Sequence, residues 1–115
     1  MHPIRLDLEK QTSSSADIRV IRLTGKLRLE TVHEFISAMR SEPVSLLVLD
    51  MSISFLDSAG VGALVALFVS RRNNHKKLAL AAFVQQGIAV LHVSGLIDLL
   101  PVYTSVDLAI RQVKM

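Results

Sequence analysis

The sequence predicts an α/β domain with one mixed, mostly parallel sheet, an antiparallel strand pair at its start and about four helices around it. Three observations predict it. The spacing of apolar residues changes from a period of two near the N-terminus to the helical 3.6 further on. Val44 to Leu49 is a nearly continuous run of Val and Leu, as in a strand covered on both sides. Half of the 115 residues are apolar, enough for one core in a single domain spanning residues 1–115.

The elements follow in order. Ile4, Leu6 and Leu8 alternate with Arg5, Asp7 and Glu9, a strand with one face buried. The polar stretch Gln11 to Ser15 is a hairpin loop, and Asp17 to Leu23 is a second strand ending at Thr24-Gly25, its alternation broken by Arg19 and Arg22. Val32, Phe35, Ile36 and Met39 recur at i, i+3, i+4 and i+7, a helix that stops before Pro43. Asp50 closes the Val44–Leu49 strand, and Met51 to Asp57 is a loop. From Ser58 to about Arg72 a helix turns Val61, Leu64, Val65 and Phe68 inward. Lys77 to Phe83 is another strand, and Gln86 to Ser94 a short helix with Gly95 as left-handed cap. Pro101 to Tyr103 is a last strand, after which Thr104 or Ser105 caps a helix carrying Val106, Ala109, Ile110 and Val113 inward. The order is β-β-α-β-α-β-α-β-α, with right-handed crossovers between the later, parallel strands.

Composition narrows the function. Without cysteine there are no disulfides, thiolate metal sites or thiol nucleophiles, which suits a reducing compartment. Met1 to Arg5 shows no basic stretch leading into an apolar leader, and Ala59 to Val69 is shorter than the roughly 20 residues that span a bilayer as a helix. A cytoplasmic protein without membrane insertion is expected. The net charge is only +3, and the one basic cluster, Arg71, Arg72, His75, Lys76 and Lys77, reads as a solvated helix end that complements the dipole. With only Phe68 and Phe83 nearby as stacking platforms, no direct nucleic-acid partner is expected. The histidines, at positions 2, 33, 75 and 92, lack metal-ligand spacing. Gly60-Val61-Gly62 lacks the third glycine of a dinucleotide fingerprint, and no Walker lysine follows. No cofactor or metal is expected.

Phe55-Leu56-Asp57-Ser58-Ala59-Gly60-Val61-Gly62 joins a buried strand to a helix start. Such a turn lies at the carboxyl edge of the sheet, where open α/β folds place their working sites. Unpaired N–H groups and the positive dipole end would partly accommodate a phosphate on Ser58. An N-cap role for Asp57 or Ser58 accounts for the same residues and contributes about 1 kcal/mol. On a helical wheel Ala59, Ala63, Ala66 and Ser70 fall opposite the inward stripe, a small and uncharged face where water-facing helices carry Lys, Glu and Gln. Docking of another protein explains this face, as do alanine's helix propensity and covering by the C-terminal helix. Gly60 and Gly62 in a first turn fit a close approach of backbones.

Asp57-Ser58-Ala59-Gly60-Val61-Gly62 after a strand ending Leu49-Asp50, together with Leu23-Thr24-Gly25-Lys26-Leu27 and Ser94-Gly95-Leu96, resembles the STAS domain family, within it the bacterial anti-sigma factor antagonists. The resemblance implies a STAS-like fold and no enzymatic activity. It implies a partner switch in transcription regulation: an anti-sigma factor with serine kinase activity binds the unmodified chain, freeing a sigma factor, then phosphorylates Ser58 and is released. A serine phosphatase reverses the modification. The docking surface expected from face and resemblance comprises Arg28, Asp57, Ser58, Ala59, Gly60, Gly62, Ala63 and Ala66, with room for a weak homodimer. Family members commonly carry an acidic residue soon after the glycine ending the second strand, where this chain has Arg28. Arg28 is therefore expected to pair with phosphorylated Ser58. Asn73-Asn74 stands where a glycine turn is common, and Asn tolerates left-handed geometry.

Three rival readings differ in chemistry. Leu56-Asp57-Ser58-Ala59-Gly60 lacks the first glycine of a nucleophile elbow, and His33, His75 and His92 read as helix surface, basic turn and core edge rather than a catalytic base. A receiver-like module would use Asp50 as phosphoacceptor, yet the acidic cluster after the first strand and the lysine near the last are missing. Within the STAS resemblance, a subunit of a membrane-lipid transport complex would dock through the same helix without phosphorylation.

Overall fold

The computed structural model describes residues 5–11, 13 and 15–114. β1 (Leu6–Gln11) pairs antiparallel with β2 (Ile18–Leu27), from Leu6 opposite Gly25 to Gln11 opposite Val20. α1 (Val32–Arg40) leads to β3 (Leu46–Met51), which lies parallel to β2 with Ile18 beside Leu46 and Leu23 beside Met51. A two-residue strand, β4 (Phe55–Leu56), and α2 (Ser58–Asn73) follow. β5 (Lys77–Ala81), α3 (Gln85–Val93), β6 (Val102–Tyr103) and α4 (Val106–Lys114) complete the chain. The sheet order is β1-β2-β3-β5-β6, with β4 attached to the far end of β2 and every pairing after the first parallel.

Strand alternation divides the core into two layers. Ile21, Leu23, Leu47, Leu49, Leu78 and Leu80 face α1, α2 and α3, which contribute Phe35, Met39, Val61, Leu64, Leu67 and Leu91. Ile18, Val20, Leu46, Val48, Ala79 and Ala81 face α4 through Ala109. Leu46 to Leu49 of β3 and Leu78 to Ala81 of β5 are buried on both faces, which is why these stretches run apolar without a break. Ser105 caps α4, its hydroxyl accepting from Leu108 N at 3.1 Å. Gly95 ends α3 at φ 75°, as expected of a left-handed cap.

Several expectations change. Ile4 lies outside the described residues, and Leu8, expected inside, is 36% exposed because β1 is an edge strand whose first residue alone is buried. β2 continues through Gly25 to Leu27. Gly25 sits at φ 93°, and a Cβ there would lie 2.3 Å from Arg5 O, so the strand passes its neighbour only with glycine at that point. β5 stops at Ala81 because Ala82 turns left-handed at φ 58°. The left-handed residue after α2 is His75, not Asn73 or Asn74.

The buried stripe of α2 is Gly60, Val61, Ala63, Leu64, Leu67 and Arg71, rotated from the expected one, with Val65 and Phe68 only partly buried at its flank. Arg71 is no solvated cation. It is 4% exposed, and its Nε donates to Lys77 O at 2.8 Å, Nη2 to Val44 O at 2.7 Å and Nη1 to Glu42 O at 3.3 Å. Burial pushes its pKa down, opposed by the charge of Glu42. The Glu42 carboxylate, itself buried, pairs with Lys10 at 3.3 Å and Arg19 at 3.4 Å. Arg71 thus ties the C-terminal end of α2 to the approaches of β3 and β5.

Arg71→Ala is expected to lower the unfolding free energy in a urea titration by about 3 kcal/mol, because buried carbonyls lose their donor and Glu42 a balancing charge. Arg71→Lys should recover only part of the loss, since one ammonium cannot present a planar fork to three acceptors.

Candidate functional site

The site is assembled where β2 outruns the rest of the sheet. Past Gly25, β2 leaves β1 and β3 behind and takes β4 as partner, Lys26 beside Phe55 and Leu27 beside Leu56. Ser54 N donates to Gly25 O at 2.7 Å and Asp57 N to Leu27 O at 3.4 Å, so the chain entering α2 runs alongside the end of β2. Gly60 completes the contact: a Cβ there would sit 2.4 Å from Leu27 O and 2.8 Å from Leu56 Cδ1. At Gly62, by contrast, an added Cβ would meet nothing within 4 Å.

Asp57 is the N-cap of α2, in extended conformation, with Oδ1 accepting from Gly60 N at 2.8 Å. Its Oδ2 accepts from Leu29 N at 3.1 Å, in the segment between β2 and α1. Thr31 shapes that segment; it is buried, accepts from Arg28 N at 3.0 Å and donates to Lys26 O at 2.8 Å.

Ser58, the first residue of α2, is exposed. Gly62, Ala66 and Val69 continue its exposed face, and Ala59 is half-buried beside it. Ala63, expected on this face, is 4% exposed and belongs to the core, as does Gly60; the apolar residues surround α2 almost completely, so the wheel alone does not fix its rotation. Along the Ser58 face runs a groove of about 570 Å³, lined on one side by Ser58, Val61 and Gly62 and on the other by Ala89, Val90 and Val93 of α3. No charged side chain lines it. Val93, 89% exposed, stands at its edge.

In the segments that run beside Asp57, Leu29 is 71% and Phe55 43% exposed. The Arg28 guanidinium lies 5.3 Å from the Phe55 ring centroid, and its Nε is 2.7 Å from Glu30 Oε2. That contact is an ion pair without hydrogen-bond alignment at Nε. Arg28 is therefore engaged by Glu30 through one edge of its guanidinium in the unmodified chain. Leu29, Phe55 and Val93 were not anticipated as site residues. The available signal was apolar side chains falling outside any period, between Arg28 and Glu30 in one case.

Asp50 is engaged as well, accepting from Ser52 Oγ at 2.7 Å and Arg22 Nε at 3.2 Å. Among the described residues no group of three His, Asp or Glu side chains could hold a metal ion. No described helix is long and apolar enough to cross a membrane.

The model of the STAS domain family matches residues 8–109. Among solved structures, an anti-sigma factor antagonist from Mycobacterium paratuberculosis superimposes with a TM-score of 0.84 at 19% identity, over 99% of this chain and 98% of its own. A sulfate transporter family protein from Wolinella succinogenes gives 0.76 at 16% identity, covering 90% and 89% of the two chains. The Bacillus cell fate determinant SpoIIAA in its phosphorylated form gives 0.69 at 20% identity, covering 93% and 99%. At these identities the likeness is one of fold.

The two glycines of the first turns should respond in opposite ways to alanine. Gly60→Ala is expected to cost about 2 kcal/mol or more, since backbone must move to admit the methyl group. Gly62→Ala should raise stability by about 0.5–1 kcal/mol through helix propensity. Urea unfolding of both variants checks the pair.

Proposed function

The chain belongs to the STAS domain family, and from that premise we propose that it is an anti-sigma factor antagonist, a cytoplasmic protein-binding switch controlled by phosphorylation of Ser58. In the unmodified state it binds an anti-sigma factor that is also a serine kinase, and so leaves a sigma factor free. The kinase then transfers the γ-phosphoryl group of ATP to Ser58 Oγ. The new P–O bond forms as the bond to ADP breaks, and the hydroxyl proton passes to a base on the kinase. A serine phosphatase hydrolyses the ester and restores binding.

One observation carries this reading: Ser58 is an exposed hydroxyl on the rim of an apolar groove that contains no charge. A partner that fills the groove must strip water from its rim. Phosphorylation puts roughly −1.5 to −2 charges there at neutral pH, beside the Asp57 carboxylate, and burying that charge unpaired is costly. The partner surface comprises Ser58, Ala59, Gly62 and Ala66 on α2, with Asp57 and Arg28 at its edge. Gly60 and Ala63 contribute from within, by setting how α2 sits on the sheet. Asp50 suits a receiver-like role poorly, because both carboxylate oxygens already have partners.

Incubation with candidate anti-sigma kinases from the same organism and ATP, followed by mass spectrometry, is expected to locate an acid-stable phosphate on Ser58. Ser58→Ala should still bind the partner, while Ser58→Asp should bind about 100-fold more weakly, as for an unpaired charge in a desolvated contact. Equal affinities of the two variants would defeat the electrostatic switch. Binding to a membrane-lipid transport ATPase with no phosphate on Ser58 would identify the non-phosphorylated kind of STAS subunit instead.

A further inference from the structure

The Asp57 carboxylate does more than an N-cap requires. Capping α2 takes only Oδ1, which accepts from Gly60 N at 2.8 Å. Oδ2 reaches out of the helix to Leu29 N at 3.1 Å, and among the described residues that amide has no other acceptor. Leu29 is the most exposed apolar residue on its side of the site, flanked by Arg28 on the Phe55 ring and by Glu30. A single side chain, adjacent in sequence to Ser58, therefore holds the backbone of the neighbouring segment.

We infer that Asp57 is a positioning residue that transmits charge at position 58 to the Arg28–Glu30 segment, so that phosphate on Ser58 frees Leu29 N and loosens the segment that carries Arg28 at the edge of the docking surface. The inference rests on the reading of Ser58 as phosphoacceptor. A phosphoryl group there and the Asp57 carboxylate are adjacent anions at one helix N-terminus, and they repel each other. The backbone of Asp57 is fixed, since its N donates to Leu27 O and its carbonyl accepts from Val61 N at 2.9 Å. The strain of two adjacent anions therefore falls on the side chain. Of its two hydrogen bonds, the one to Leu29 N is the longer and leads to a connecting segment, whereas the other closes a turn within α2. The bond to the connecting segment gives way first.

The full-length chain with phosphoserine installed at position 58 during translation tests this without any kinase, so the absence of a cognate kinase leaves the result intact. Amide hydrogen exchange measured by NMR is expected to accelerate at Leu29 by about tenfold or more relative to the unmodified chain, the factor that loss of one hydrogen bond to a charged group implies. Exchange at Val48 in the centre of the sheet should not change. In Asp57→Asn one carboxylate acceptor becomes a donor, so Leu29 should exchange rapidly with or without the phosphate while Gly60 stays protected. Unchanged Leu29 exchange in the phosphorylated chain would overturn the inference, as would a phosphate-dependent difference that persists in Asp57→Asn.

Discussion

The carbonyl oxygen of Leu27 is the point on which the site depends. It terminates β2, accepts from Asp57 N, and lies so close to Gly60 that no side chain fits between them. A helix starting against a strand end must bring its first-turn amides near that strand's carbonyl edge, and here the absence of a Cβ at Gly60 permits the approach. The distance sets the reach of Asp57 to Leu29, the exposure of Ser58 and the rotation of α2. That rotation places Ala63 inside and Gly62 and Ala66 outside.

α2 meets two demands that pull its composition in one direction. Its inner stripe fills the larger core layer, and its outer face exposes Gly62, Ala66 and Val69, the face proposed to meet a partner. Both require apolar or small residues, so the helix carries no charge between Ser58 and Ser70. A helix meant only to cover a sheet would carry Lys or Glu on the water side. An exposed apolar strip is a solubility liability that the proposed docking role would account for, and the first charges come at Arg71 and Arg72.

Much of this was legible in the sequence. The parallel strands are visible in Val44–Leu49 because burial on both faces leaves an unbroken apolar run, and α1 is visible because Phe35, Ile36 and Met39 form a stripe that polar residues interrupt cleanly. β4 was not legible, since two residues have no period and its pairing with Lys26 and Leu27 is a long-range property. Arg71 was misread for a related reason: beside Arg72 and His75 it looks like a solvated cation, and only the three carbonyls gathered around it from separate segments make it a buried clamp. Ser58 stood out because its neighbours are chemically unusual in one short stretch. Leu29 and Val93 stood out less, because a single apolar residue outside any period is also common on an ordinary surface.

Because both ends of α2 are fastened, the mode of the proposed switch is constrained. Gly60 and Asp57 hold the N-terminal end to β2, and Arg71 holds the C-terminal end to the entries of β3 and β5. A helix fixed at both ends on a packed layer cannot slide in response to a charge without disturbing Leu64 and Leu67 in the core. Such rigidity would keep the proposed docking face preorganised and so limit the entropy lost on binding a partner. The same rigidity means that the free energy of an added dianion cannot be relieved by moving the helix. It must appear as weaker partner binding at the groove, or as the loss of a contact made by something less firmly held, and the connecting segment at Leu29 meets that description.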